Sequence, residues 1–236
     1  MGLLNLLSSG YDFKTIVTLV LFTGFIVVFS LTIHEVSHGL CALALGDPTA
    51  KNRGRLTLNP LKHMNPVGAM MMLLIGFGYA EPVPINPNNF KNRKVGMAIT
   101  AFAGPFSNFI LAVISTFVFG FTLKSASSSL EKLEAFYNGN SVLFFVAQFF
   151  YYMAVMNLAL MVFNLIPIPP LDGSRILNIF LPEKYYFRLM RYEQYIALIF
   201  FLVIFVSSRV FHINILFGIP EWIFERIYDL VAKIRG

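Results

Sequence analysis

His34-Glu35-Val36-Ser37-His38 stands in the last third of an apolar run that extends from residue 14 to residue 45 and stops at Gly46-Asp47-Pro48. On a helix, residues four apart lie one turn apart on one face. Both imidazoles therefore reach one metal ion, while Glu35 projects toward its open coordination position. This is the HExxH pattern of zinc hydrolases, and the chemistry it predicts is activation of a water molecule. The setting sharpens the reading, because a charged group deep in a membrane span costs about 2.5 kcal/mol or more on insertion scales. Such residues face a cavity or a partner, and helix packing alone is a poor account of this cluster.

Working outward, 57% of the 236 residues are hydrophobic and only 13% are charged, which marks a polytopic membrane protein. The amino terminus lacks a basic region followed by a small-residue cleavage site, so the first apolar run reads as a retained span and no cleavable signal peptide is expected. A single cysteine excludes an internal disulfide; Cys41, one turn beyond His38, reads as a small packing residue rather than a ligand. The formal charge of +6 comes from basic residues scattered among apolar segments. That distribution fits loops facing anionic lipid, and no nucleic-acid partner is expected.

Residues 46 to 66 form a polar loop, followed by an apolar stretch from Val67 to Tyr79 that is too short for a crossing of roughly 20 residues. It reads as a re-entrant hairpin. Glu81-Pro82-Val83-Pro84-Ile85-Asn86-Pro87 cannot be helical, because its prolines carry no amide hydrogen, so it is expected to run extended. Backbone of that kind survives at membrane depth only under cover of protein or a cavity. Further spans are expected from about Val95 to Leu123, Ser141 to Ile166 and Gln194 to Ser208. Ile166-Pro167-Ile168-Pro169-Pro170-Leu171-Asp172-Gly173 breaks the helix between the last two, and from Pro220 onward the pattern is that of an interfacial helix. The fold class is thus all-α and polytopic, with about four transmembrane helices, the hairpin and the interfacial helix, in one membrane-embedded domain over residues 1–236.

If the hairpin enters and leaves on one side, Lys51, Arg53, Arg55, Lys62, Lys91, Arg93, Lys94, Arg175, Lys184, Arg188 and Arg191 share a face. By the positive-inside rule that face is cytoplasmic. HEVSH, the start of the second span and the Pro-Pro-Leu-Asp-Gly break then fall at one depth, toward the cytoplasm. Catalytic zinc generally takes three protein ligands and leaves a fourth position to water. Asp172 alone reads equally as a helix cap or a ligand; opposite an incomplete zinc site, it reads as the ligand.

HEVSH on a membrane helix, Gly104-Pro105-Phe106-Ser107-Asn108, and Asn164-Leu165-Ile166-Pro167-Ile168-Pro169-Pro170-Leu171-Asp172-Gly173 together resemble the site-2 protease family of intramembrane zinc metalloproteases. Gly46 to Ala50, Gly54 to Pro60 and the Pro-rich Glu81 to Phe90 resemble its small prokaryotic members, which lack PDZ and CBS domains. The resemblance implies one zinc per chain at His34, His38 and Asp172, Glu35 as general base, and Asn164 near the substrate backbone. It places Asn108 at a polar position beside the active centre. Pro82, Val83 and Pro84 would belong to a membrane-associated β hairpin whose short strands present substrate in extended form. The implied substrates are single-span membrane proteins, such as anti-sigma factors, signalling precursors or remnant signal peptides, and a separate membrane protein is a candidate regulator.

Other residues read more plainly. His63 and His212 are expected to be surface or interfacial histidines, Met70, Met71 and Met72 apolar packing, and Asn157 a hydrogen-bonding residue between helices. Glu81 reads equally as the partner of a base or as a charge that steers substrate. One rival function is a catalytically silent member that binds membrane helices as chaperone or regulator, but loss of a ligand or of the base would be expected there. A transporter would be expected to show broken helices in two related halves, and none are present in the sequence.

Overall fold

A computed structural model describes residues 10, 13–64, 81–126, 142–210 and 215–234. The expected hairpin at Val67 to Tyr79, Met70 to Met72 and His212 lie outside the described residues. The chain divides into two compact units, Met1–Gly104 and Pro105–Gly236.

In the first unit, α1 spans Phe13–Ala44, close to the apolar run seen in the sequence. It contains no proline, and within it Thr32 Oγ1 donates to Val28 O (2.8 Å) and Ser37 Oγ to Ile33 O (2.7 Å). These two hydroxyls are thus satisfied inside the helix, as hydrocarbon requires. The 29 residues Ile16–Ala44 rise roughly 44 Å at 1.5 Å per residue, more than the hydrocarbon core of a bilayer. The helix stops where Gly46 adopts φ 102°, a left-handed conformation that favours glycine. One helical turn follows, α2 at Thr49–Asn52, then a 3-10 turn at Pro60–Lys62 capped by Asn59, whose side chain accepts from Leu61 N. Glu81 to Asn86 forms no helix or strand; a second 3-10 turn, Pro87–Asn89, closes it. Helix α3 covers Arg93–Ala126, with the Asn92 side chain accepting from Val95 N at its start. The division between the units falls within α3, between Gly104 and Pro105.

The second unit holds the rest of α3, then α4 (Val142–Asn164), α5 (Asp172–Leu177), α6 (Glu183–Arg191), α7 (Glu193–Val210) and α8 (Ile215–Ile234). Ala112, Ala154, Val155, Leu158 and Phe224 form its buried core. Around Phe224 gather Tyr151 (ring centroids 5.1 Å), Phe119 (5.8 Å) and Tyr228 (6.2 Å), in the tilted, edge and offset geometries that aromatic quadrupoles favour. This cluster seats α8 against α4.

Among the described residues α1, α3 and α4 are long and apolar enough to cross a membrane, and α7 forms where a further span is expected. No β strand occurs among them, so the strand character expected of Pro82 to Pro84 is realised only as irregular, non-helical chain. Helix α8 begins before Pro220 rather than at it. A proline in the second turn forfeits one amide hydrogen bond without ending a helix whose apolar face is packed.

Candidate metal centre

His34 and His38 lie on one face of α1 with their Nε2 atoms 3.0 Å apart and their rings edge to face. Both are almost fully buried, at 4% and 6% exposure. The Thr100 carbonyl lies 2.7 Å from His38 Nδ1 and can only accept, so Nδ1 carries the hydrogen and Nε2 presents its lone pair. Metal-bound histidines are commonly oriented in this way, by a backbone carbonyl at the other ring nitrogen. Two zinc–nitrogen bonds of about 2.0–2.1 Å at a tetrahedral angle place the nitrogens roughly 3.3 Å apart, close to the spacing here. The donor pair therefore fits a zinc ion.

Gly104 forms part of the floor under this pair. A Cβ there would lie 2.5 Å from Cε1 and Nε2 of His38 and 2.6 Å from Cε1 of His34. Only a residue without a side chain lets α3 come so close to both rings. The sequence includes Gly104 in a matching motif, but a reason for glycine emerges only from this contact.

Glu35 Oε2 accepts a 2.8 Å hydrogen bond from the peptide N–H of Val83. The segment that carries Val83 is fixed at both ends. At one end Glu81 N–H donates to His63 O (2.7 Å), and Arg55 spans the chain, with Nη1 on Glu81 Oε1 (3.0 Å) and Nη2 on Glu81 O (2.6 Å) and Pro82 O (3.4 Å). Glu81 is thus the partner of a base, which resolves its two readings. At the other end Asp47 has no exposed surface. Its Oδ2 accepts from Asn86 N–H (2.7 Å) and its Oδ1 from Asn89 Nδ2 (2.7 Å), Thr49 Oγ1 (2.5 Å) and Thr49 N–H (3.1 Å). Burial acts to raise the Asp47 carboxyl, but the bonds from Thr49, Asn86 and Asn89 outweigh it and hold the group below its usual range.

His63 departs from expectation. It is 1% exposed rather than a surface histidine, and its Nε2 donates to Thr57 O (2.8 Å), closing the loop that receives Glu81. A histidine between Lys62 and Met64 reads as solvated, and only the folding of the loop over it hides the ring.

In the second unit, Asp172 is the first residue of α5 and is half-buried. The cap position belongs to Leu171, whose side chain makes no capping bond; Ser174 Oγ instead donates to Leu171 O (2.7 Å). A Cβ at Gly173 would overlap the carbonyl oxygens of Leu165 and Ile166, so glycine lets α5 fold back onto the end of α4. Asn108 is fully buried and donates from Nδ2 to Asn157 Oδ1 (2.8 Å), while Asn157 Nδ2 donates to Met153 O (2.8 Å). Asn157 thus forms the interhelical bond expected of it. Asn164 Nδ2 donates to Leu160 O (3.0 Å), within its own helix.

Residues 22–208 match the profile of Peptidase family M50. "Putative zinc metalloprotease YwhC" of Bacillus subtilis (strain 168) is 41% identical over 180 residues, 76% of this chain and 78% of that protein. "Putative zinc metalloprotease Rip2" of Mycolicibacterium smegmatis is 29% identical over 151 residues, 62% of this chain and 52% of that protein. The protein of the same name from Mycobacterium tuberculosis (strain H37Rv) is 28% identical over 200 residues, covering 83% and 70%. No solved structure matches.

Proposed function

The chain belongs to peptidase family M50 and is a membrane zinc metalloendopeptidase, and from that premise we propose that it cuts membrane proteins in or beside their transmembrane segments. His34 and His38 hold the zinc, Asp172 completes the protein ligands, and Glu35 is the general base. The observation that carries this reading is the pair of buried Nε2 atoms 3.0 Å apart, with a carboxylate on Glu35, the residue that follows His34.

When bound, zinc supplies Lewis acidity, lowering the pKa of a bound water to about 7 and polarising the scissile carbonyl. Glu35 would take a proton from the water that adds to the scissile carbonyl carbon. It would then deliver that proton to the leaving amine as the C–N bond breaks. Thr100 keeps the His38 hydrogen on Nδ1, so the opposite nitrogen stays a lone-pair donor throughout.

A helical substrate shields its peptide bonds with its own hydrogen bonds and must unwind before cleavage. Pro82, Val83 and Pro84 would accept it as an added extended strand, offering carbonyl oxygens to amides freed by unwinding. Asn164, and Asn108 through its amide pair, would serve the remaining backbone groups. The chain lies across the cell membrane with the metal pair toward the cytoplasm, a reading supported by basic Lys51, Arg53, Arg55 and Lys62 in the loop that follows α1. A separate membrane protein gates access; purified chain that alone discriminated fully between an untrimmed and a trimmed substrate would remove that part of the reading.

The test is zinc per purified molecule in detergent, for the native chain and for His34→Ala and Asp172→Ala, followed by cleavage of a tagged single-span membrane protein with Glu35→Gln as control. About one zinc per chain, lost in both variants, and cleavage abolished by Glu35→Gln are expected. Full zinc in Asp172→Ala would remove Asp172 from the ligand set. Absence of zinc from the native chain after reconstitution would favour a silent helix-binding protein.

A further inference from the structure

Proline nitrogen carries no hydrogen, so across Pro82-Val83-Pro84 the chain has one peptide N–H, that of Val83, and it points at Glu35 Oε2. Neighbouring contacts leave that N–H little freedom. Arg55 holds the carbonyls of Glu81 and Pro82 just before it, with a guanidinium side chain only 12% exposed. Asp47 holds Asn86 just after it, through a carboxylate that accepts four hydrogen bonds. The Val83 side chain is itself buried, at 6% exposure, and packs over Gly39, the residue following His38. Turning the Val83 amide away from Glu35 therefore requires release of one end of the segment or loss of that packing.

We propose that the Val83 peptide N–H is a positioning group for the general base, and that Asp47 and Arg55 are positioning residues that aim it. This rests on the reading of Glu35 as general base. A glutamate carboxylate on a flexible stem presents either oxygen in several rotamers. With Oε2 bound to Val83, Oε1 is the oxygen left for proton transfer, and its direction is set by the segment rather than by α1 alone. Asp47 and Arg55 act at one remove, through the backbone they hold, and neither touches the reacting atoms. A substrate strand laid along Pro82 to Pro84 thus bears on the group that aims the base, so seating of substrate and readiness of Glu35 are linked through a single peptide unit.

Val83→Pro removes the hydrogen within a non-helical, proline-flanked backbone, and Val83→Ala trims the side chain but keeps the hydrogen. Asp47→Asn loosens the far anchor and serves as the second variant if Val83→Pro does not fold. Each full-length protein is purified and assayed for kcat and KM on a panel of tagged single-span membrane proteins, and for zinc per molecule. For Val83→Pro, kcat is expected to fall about 10- to 100-fold, the scale on which misplacement of a reacting group acts, with zinc retained. Val83→Ala, which keeps the hydrogen but trims the packing over Gly39, is expected to recover part of that loss. Asp47→Asn is expected to lower kcat several-fold, again with zinc retained.

Equal activity of Val83→Pro and Val83→Ala overturns the positioning role, as does a loss confined to KM, which would make the segment a binding edge only. Loss of zinc in step with kcat also overturns it, because the segment would then be supporting the histidines. Native chain that holds zinc and cleaves none of the panel overturns the protease reading and this inference with it. Native chain that cleaves while both Val83→Pro and Asp47→Asn match it overturns the positioning role alone.

Discussion

The loop and Pro-rich segment of the first unit and the α4–α8 contact of the second are held by opposite kinds of force. Around Glu35 the bonds are directional: one carboxylate, Asp47, takes four donors, and one guanidinium, Arg55, grips two successive carbonyls. Around Phe224 the contacts are apolar and aromatic, and the buried polar pair described in that unit is Asn108 with Asn157. Directional bonds fix angles, and small losses there mis-aim atoms without unfolding the chain. Aromatic packing resists separation but tolerates small rotations. The contrast predicts that substitutions in the first region change chemistry more than stability, and those in the second do the reverse.

The sharpest test is Glu35→Gln, for which cleavage is expected to fall at least about a hundredfold, with zinc content and unfolding temperature unchanged. A large drop in unfolding temperature would break the comparison at its first term. At the other pole, Phe224→Ala removes the ring shared by Tyr151, Phe119 and Tyr228 and is expected to cost about 3 kcal/mol or more, read as a lowered unfolding temperature in detergent with zinc unchanged. Gly104→Ala comes next. Its new methyl strikes both imidazoles, and zinc affinity measured by competition with a chelator is expected to drop about 10- to 100-fold, the scale of lost support around a metal site. Gly24→Ala, with nothing within 4 Å of the added carbon, is the matched control on α1 and is expected to bind zinc normally.

Smaller again is Asn157→Leu, which deprives buried Asn108 of this acceptor and is expected to lower stability by about 1–3 kcal/mol. The smallest effect is that of acid on Asp47. Its carboxyl lies below the ordinary value of 3.8 in the folded chain, so its bonds stabilise fully above that pH and are lost as pH falls through the folded value. Proteolytic nicking of the 46–64 loop should therefore rise in strong acid for the native chain. In Asp47→Asn it should already be raised at neutral pH and change less with acid.

The meeting of His34 and His38 was legible because it is local. A helix places residues four apart on one face whatever the rest of the chain does, so His34 and His38 could be joined on the page. The irregular course of Glu81 to Asn86 was legible for an equally local reason, the absence of amide hydrogens at its prolines. What those residues bind was not. Val83 and Glu35 lie 48 positions apart and His38 and Thr100 lie 62 apart, and no periodicity links them. Asp47 reads as a helix stop, which it is, yet its carboxylate also anchors a segment nearly 40 positions away. His63 was misread for the converse reason: a basic neighbourhood in the sequence says nothing of the backbone that later covers it.

The lone hydrogen between Pro82 and Pro84 also makes the segment an unusually clean reporter. Amide exchange over those three residues concerns one deuteron, so uptake there follows the opening of one named bond, Val83 N–H to Glu35 Oε2, undiluted by neighbouring amides. A ligand, lipid or partner that lifts the segment from the carboxylate would register as faster uptake of that deuteron, and one that presses it down as slower, before any substrate is known.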